Sequence, residues 1–302
     1  MNKRSSLLLV LMPGVLLGGA CATGKPAQQV PVSGEFQAGV ENRGAAEAAE
    51  TTDPLWYSRN VEIPLWEEAP PGLESGKSPV LNIGLDLLDT EVLARGETEK
   101  VLERLFRDTF YRGLSVRDYT EDQIRVQTME YRDMGEEARH NIWLINSATL
   151  NWEYQESFRI PVNGTRLLVV SRERSFYSGG AHPNYDRTYF VFDPEVGMRI
   201  GLSDVIRNDS LSALKEQINR ELRRYKEIDP GDSLKRAMFF VDEAEPTENY
   251  FFSPRGLGFH WDPYEIASYA EGYVEVFLPY DGIWELLAPE GRRLARELAA
   301  LP

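Results

Sequence analysis

The chain carries a single cysteine, Cys21, at the end of an N-terminal apolar run and ahead of any stretch patterned like a folded body. No disulfide can form within the chain, so burial of apolar surface has to hold the fold together. With 302 residues and 42% hydrophobic content there is enough material for a sizeable core.

The run itself has the form of an export signal. Lys3 and Arg4 precede Leu7–Leu17, which is apolar apart from Pro13 and Gly14, and the small residues Gly18, Gly19 and Ala20 lead to Cys21. The run is shorter than the roughly 20 residues that a permanent helix needs to cross a bilayer. Leu16-Leu17-Gly18-Gly19-Ala20-Cys21 resembles a bacterial lipobox, with Gly18 where the usual leucine stands and Leu17 one place back. On that pattern Cys21 becomes a lipidated N-terminus and a membrane anchor. Ala20-Cys21-Ala22 is also an A-x-A cleavage pattern, and ordinary secretion at that site would discard the cysteine. The expected location is the bacterial cell envelope, facing the periplasm or the cell surface.

Removing residues 1–20 takes away two basic residues and no acid, leaving 31 basic and 48 acidic residues and a net charge of −17. That balance argues against nucleic acid and anionic lipid surfaces as partners and favours cationic ones. Acidity also serves solubility alone.

Four segments follow from composition and periodicity: a signal peptide over 1–20, a tether over 21–53, and two α+β subdomains over 54–180 and 181–302. The tether is rich in Ala, Gly, Glu and Gln, too polar to bury a core, with a coil reach of about 30 Å. Strands are expected at 61–66 and 79–88, and a helix at 97–113 with Val101, Leu102, Leu105, Phe106 and Phe110 on one face. A second helix is expected from Thr120, with Gln123 completing a capping box, to Gly135. The period then drops to two over 142–161, and Val162-Asn163-Gly164-Thr165 reads as a two-residue hairpin turn before a return strand over 167–177. Strands at 188–193 and 198–202 flank a turn at 194–197. A helix follows over 211–225, a shorter one over 233–241, strands at 250–252, 257–261 and 273–279, and a last helix after Pro289. Strands and helices mix without strict βαβ alternation. The expected class is α+β: two packed subdomains with mainly antiparallel sheets and flanking helices.

Chemistry-bearing motifs are sparse. The three histidines, His140, His182 and His260, are far apart and lack zinc-site spacing, so no metal or cofactor is expected. There is neither a nucleophile elbow nor a phosphate-cradling glycine loop. Tyr177-Ser178-Gly179-Gly180-Ala181-His182 stands out. Two glycines permit a tight turn, and His182 is either a ligand-facing donor or acid/base, or the clasp of a structural turn. His260 reads as an ordinary strand residue. Trp56, Tyr57, Trp66, Trp143, Trp152, Trp261 and Trp284 are either core or sugar-stacking residues, and Trp152 and Tyr154 share one strand face.

Residues 177–206 (YSGGAHPNYDRTYFVFDPEVGMRIGLSDVI) and 256–283 (GLGFHWDPYEIASYAEGYVEVFLPYDGI), with Pro263-Tyr264-Glu265-Ile266-Ala267 and Tyr269-Ala270-x-Gly272 as the most specific part, resemble a known module. It is the extracellular module shared by RsiV-type anti-sigma factors, which sense lysozyme, and PdaC-type peptidoglycan deacetylases. The resemblance implies a non-catalytic binding unit for lysozyme or cell-wall glycan. It singles out Tyr177, Gly179, Gly180, His182, Tyr264, Glu265 and Tyr269 as candidate contacts. About six residues precede the apolar run and no deacetylase domain follows the module here, so neither the sigma-holding role nor the deacetylase activity is expected to carry over. The alternative is a peptidoglycan-directed envelope hydrolase using His182 and a carboxylate.

Overall fold

Strict alternation in Val80–Leu88 (β2) puts Leu81, Ile83, Leu85 and Leu87 on one face, all buried. That strand organises the first sheet. The structure is a computed structural model and describes residues 56–71, 73, 77–89, 97–140 and 146–299. The signal peptide, Cys21, the tether and Trp143 lie outside the described residues. All the described residues fall in one contact unit, Glu47–Pro302, and among them no helix is long and apolar enough to cross a membrane.

Trp56–Pro64 (β1) pairs antiparallel with β2, with Val61 opposite Ile83. The chain then runs through two helices, Glu97–Phe110 (α1) and Val116–His140 (α2), to Trp152–Asn163 (β3), which lies parallel to β2. A parallel neighbour requires such a crossover, because the chain must return to the same end of the sheet. Leu168–Tyr177 (β4), Asn184–Asp193 (β5) and the short Met198–Arg199 (β6) follow antiparallel, so six strands lie in sequence order.

Both helices differ from sequence expectation in instructive ways. α1 ends where Gly113, at φ +79°, donates its N–H to the Arg107 carbonyl at 2.9 Å. α2 starts at Val116 rather than Thr120, because Ser115 Oγ accepts from the Asp118 N–H at 3.0 Å and caps the helix there. Thr120 sits inside the helix and donates its hydroxyl to the Val116 carbonyl. Gly135 does not end α2 either. A Cβ at that position would stand 2.3 Å from Leu65 Cδ1, so the glycine admits Leu65 against the helix.

The β3–β4 turn is also displaced. Asn163 pairs with Leu168 and Gly164 N–H donates to Leu167 O at 2.8 Å, which puts Thr165 and Arg166 at the tip in place of Asn163 and Gly164. A bulge between Arg159 and Val162 shifts the register. Arg166 at the tip then reaches Asp193 at 3.1 Å and Glu195 at 3.3 Å.

β4 and β5 form the wall between two cores. Leu168, Val170 and Phe192 face the helical side with Phe106, Phe110, Tyr119 and Phe158. Val169, Tyr189 and Val191 face the C-terminal elements. Those elements are Leu202–Val205 (α3), Leu211–Tyr225 (α4), an antiparallel three-stranded sheet of Tyr250–Ser253 (β7), Gly256–Trp261 (β8) and Val274–Pro279 (β9), then Tyr280–Ile283 (α5) and Pro289–Ala299 (α6). The two sheets and flanking helices are α+β and mostly antiparallel. The large sheet continues across residues 180 and 181, which lie in the β4–β5 connection. The helix expected over 233–241 is a single 3-10 turn, Leu234–Ala237, closed by Met238 at φ +67°.

α6 is docked through Gly291, where a Cβ would lie 2.4 Å from the Val205 carbonyl oxygen. That neighbour is backbone and cannot rotate away. Gly291→Ala is therefore expected to lose about 1–3 kcal/mol through overpacking, despite alanine's better helix propensity. Urea unfolding would show it, and a midpoint at or above that of the parent chain would contradict the close approach.

Candidate binding site

Two segments distant in sequence meet at the N-terminal end of β5 and the C-terminal end of β8. The first is the glycine loop after β4. Gly179 adopts φ +90°, and a Cβ there would sit 2.3 Å from the Thr149 carbonyl oxygen, so only glycine fits. Tyr177 closes the loop by donating its hydroxyl to Gly180 O at 3.0 Å. The loop delivers His182 at the surface.

The second segment is Asp262–Gly272. Glu265 Oε2 accepts from the Asp262 N–H at 2.7 Å, while Glu265 N–H donates to Asp262 O, a reciprocal turn. Tyr264 sits at the apex with φ +73°, a backbone state that bulky residues rarely hold, and its side chain is 54% exposed. The two segments lock together through rings. His182 stacks on Tyr269 with centroids 3.6 Å apart and planes at 17°. Its Nδ1 donates to the Pro183 carbonyl at 3.0 Å, and its Nε2 lies within hydrogen-bond distance of the Tyr264 hydroxyl at 3.3 Å. Tyr185 packs edge-on against Tyr273 at 4.9 Å and borders Tyr269 at 5.5 Å.

Of the candidate contacts, the structure thus brings His182, Tyr264 and Tyr269 into one platform. Tyr177, Gly179, Gly180 and Glu265 shape the two turns that present it.

Beneath Tyr273 lies a charged cluster that sequence reasoning missed. His260 is fully buried, at 0% exposure. Its Nδ1 faces Glu275 Oε1 at 2.8 Å and its Nε2 faces Asp262 Oδ1 at 3.0 Å. Two carboxylates require two donors, so the ring is an imidazolium. Burial pulls its pKa down, yet the hydrogen bonds and charges of Asp262 and Glu275 outweigh that and raise it above the ordinary 6.5. Burial pushes Glu275 the other way, but His260, Arg187 and Tyr189 hold it below the usual carboxylate range. Arg187 joins from β5: Nε donates to Glu173 at 3.0 Å, Nη1 to Glu275 at 3.4 Å, and its backbone N–H to Asp262 Oδ1 at 2.8 Å. Its guanidinium lies 4.7 Å from the Tyr273 ring centre. The cluster clamps the large sheet onto the small one directly below the platform.

His260 reads from sequence as an ordinary strand residue because its importance comes from register. It pairs across β8–β9 with Glu275, fifteen positions away, and Gly258 on the same face leaves room for Phe251. One signal was present: in Val274–Pro279 only Glu275 breaks the apolar character of the face opposite the core. No group of three or more His, Cys, Asp or Glu side chains among the described residues is placed to hold a metal ion.

Residues 203–281 match the family model DUF3298, described as a protein of unknown function. The match takes in His260, Asp262, the Tyr264 turn, Tyr269, Tyr273 and Glu275, while His182, Glu173 and Arg187 lie outside it. Two crystal structures share the fold. A DUF3298 family member from Bacteroides fragilis is 21% identical, with a TM-score of 0.62 over 82% of this chain and 98% of that one. A DUF3298 family protein from Pseudomonas aeruginosa is 15% identical, with a TM-score of 0.50 over 79% of this chain and 96% of that one. A comparison with curated proteins finds no match.

Proposed function

We propose that the chain is a non-catalytic binding module of the bacterial cell envelope, of the RsiV/PdaC kind, held at a membrane by a lipid on Cys21, with a lysozyme as its ligand. The observation that carries this reading is the platform of His182, Tyr264 and Tyr269. It is exposed at its tip, rigid through stacking, and fixed from below by a buried charge clamp. Pre-ordered aromatic residues make strong protein-contact centres because little freedom is lost on binding. The hydrolase alternative is less well supported: the partners of the His182 ring nitrogens are a carbonyl and a hydroxyl, not a carboxylate.

Lysozymes are strongly basic as a rule, and a net charge of −17 on the processed chain speeds their encounter. Calorimetric titration with a basic lysozyme is expected to give saturable binding whose affinity falls as salt is raised several-fold. Tyr264→Ala and Tyr269→Ala are each expected to weaken it about tenfold or more, the scale of a contact hot spot. Binding indifferent to both substitutions would remove the platform from the interface, and no heat with lysozyme would end this reading. Cell-wall glycan is a second reading, favoured by a different feature, an aromatic groove on the helical face of the large sheet.

A further inference from the structure

That groove lies between α2 and the ends of β3, β4 and β5, on the helical face of the large sheet, and reaches Tyr177 and Ser178 at the base of the glycine loop. It has a volume of about 340 Å³, at the small end of the range for ligand sites. Its apolar lining is Trp152, Tyr154 and Phe176, the last 42% exposed. The rings are held from behind. Trp152 packs on buried Tyr131 with centroids 5.3 Å apart. The Tyr154 hydroxyl donates to Glu156, a carboxylate only 2% exposed. The polar lining is equally fixed: Arg174 and Asp186 form a two-point pair, Nε to Oδ1 at 3.2 Å and Nη2 to Oδ2 at 3.1 Å. The buried indole N–H of Trp152 has no hydrogen-bond partner among the described residues.

We infer that this groove is a saccharide subsite, taking a neutral N-acetylated hexose unit of a β-linked wall glycan. The inference rests on the second, glycan reading and places that ligand against the opposite face of β4 from the His182–Tyr264–Tyr269 rings. Charge decides the class. Glu130, Glu153 and Asp186 outnumber Arg174 around the groove, which disfavours phosphate and other anions. Preset ring faces match the apolar face of a sugar, and the fixed guanidinium–carboxylate pair offers donors and acceptors to its hydroxyls. The exposed ring of Phe176 provides apolar contact for an acetyl methyl group.

The probe is tri-N-acetylchitotriose, titrated into the purified chain by calorimetry and by tryptophan fluorescence. Saturable binding is expected, with a fluorescence change that disappears in Trp152→Phe. Phe176→Ala removes an exposed ring and spares the core, and it is expected to weaken the sugar roughly tenfold. Phe240→Ala, an exposed ring on the C-terminal half, serves as the control and leaves affinity unchanged. Chitotriose binding that survives Phe176→Ala at full strength overturns the groove assignment. So does the absence of chitotriose binding in the millimolar range. A lysozyme titration of the same sample reports separately on the platform, so either reading can fall while the other stands.

Discussion

His260→Ala is expected to be the most damaging single substitution in the C-terminal half. The imidazolium is the common partner of Asp262 and Glu275, and its loss leaves two carboxylates beside each other with Arg187 as the remaining neutralising charge. Removing one member of a buried ion pair costs about 3–5 kcal/mol, because the partner's charge stays desolvated. Glu275 keeps 36% of its side chain exposed and Asp262 20%, so water relieves part of the penalty and the lower end of that range applies. Denaturant unfolding at pH 6 would measure it. A loss below about 1 kcal/mol would mean that the clamp is electrostatically idle.

The same cluster gives stability a pH signature. His260 has a folded-state pKa above its ordinary 6.5, so its contribution is fully present below 6.5 and is lost as pH rises through the raised value. Glu275 has its pKa below the ordinary 4.5, so its contribution is present above 4.5 and is lost as pH falls through the lowered value. The clamp is therefore strongest between about pH 4.5 and 6.5, and the stability gap between the parent chain and His260→Ala should narrow on either side. Tyr189 and Tyr273, pushed up by burial, remain neutral throughout and do not blur the profile. A gap independent of pH between 5 and 9 would argue that His260 acts through packing alone.

What could be read in advance divides along physical lines. α1, α4, α6 and β9 follow from short-range periodicity, since each buries one face whose spacing is local, while β8 is buried on both faces. α4 is the clearest case: Leu214, Ile218 and Leu222 recur at helical spacing and are fully buried. The start of α2 was less legible because Ser115 and Thr120 both have capping chemistry, and only the fold decides between them. Gly135 carries the sequence look of a stop, but its meaning depends on Leu65, seventy positions earlier. The platform was half legible. The glycines and the Pro263–Ala267 turn mark the two segments, and nothing in either one says that His182 and Tyr269 will stack. The clamp was the least legible part, because Glu173, Arg187, His260, Asp262 and Glu275 become neighbours only when β5 is laid against the small sheet.

Asn249→Ala is the second large effect expected, and it tests how the two sheets are joined. The Asn249 side chain imitates a backbone partner: Oδ1 accepts from the Tyr189 N–H at 2.8 Å and Nδ2 donates to the Arg187 carbonyl at 2.8 Å. Its own carbonyl accepts from the His260 N–H at 2.9 Å. One residue thus extends the hydrogen bonding of β5 to the edge of the small sheet and sets His260 opposite Arg187. Alanine keeps the backbone bond but strands one donor and one acceptor, each at about 1–3 kcal/mol for a buried group. Both lie in partly buried positions, so a loss of about 2–3 kcal/mol is expected, with faster amide exchange at Tyr189. Asn249→Asp separates the two bonds. Its carboxylate still accepts from Tyr189 but sets an oxygen against the Arg187 carbonyl, so it should leave the Tyr189 amide better protected than alanine does without recovering stability. If alanine and aspartate expose Tyr189 equally, the side-chain bridge is not what holds β5 to the C-terminal sheet. Apolar contacts such as Tyr189 on Phe251, with ring centres 4.4 Å apart, would then have to carry the junction.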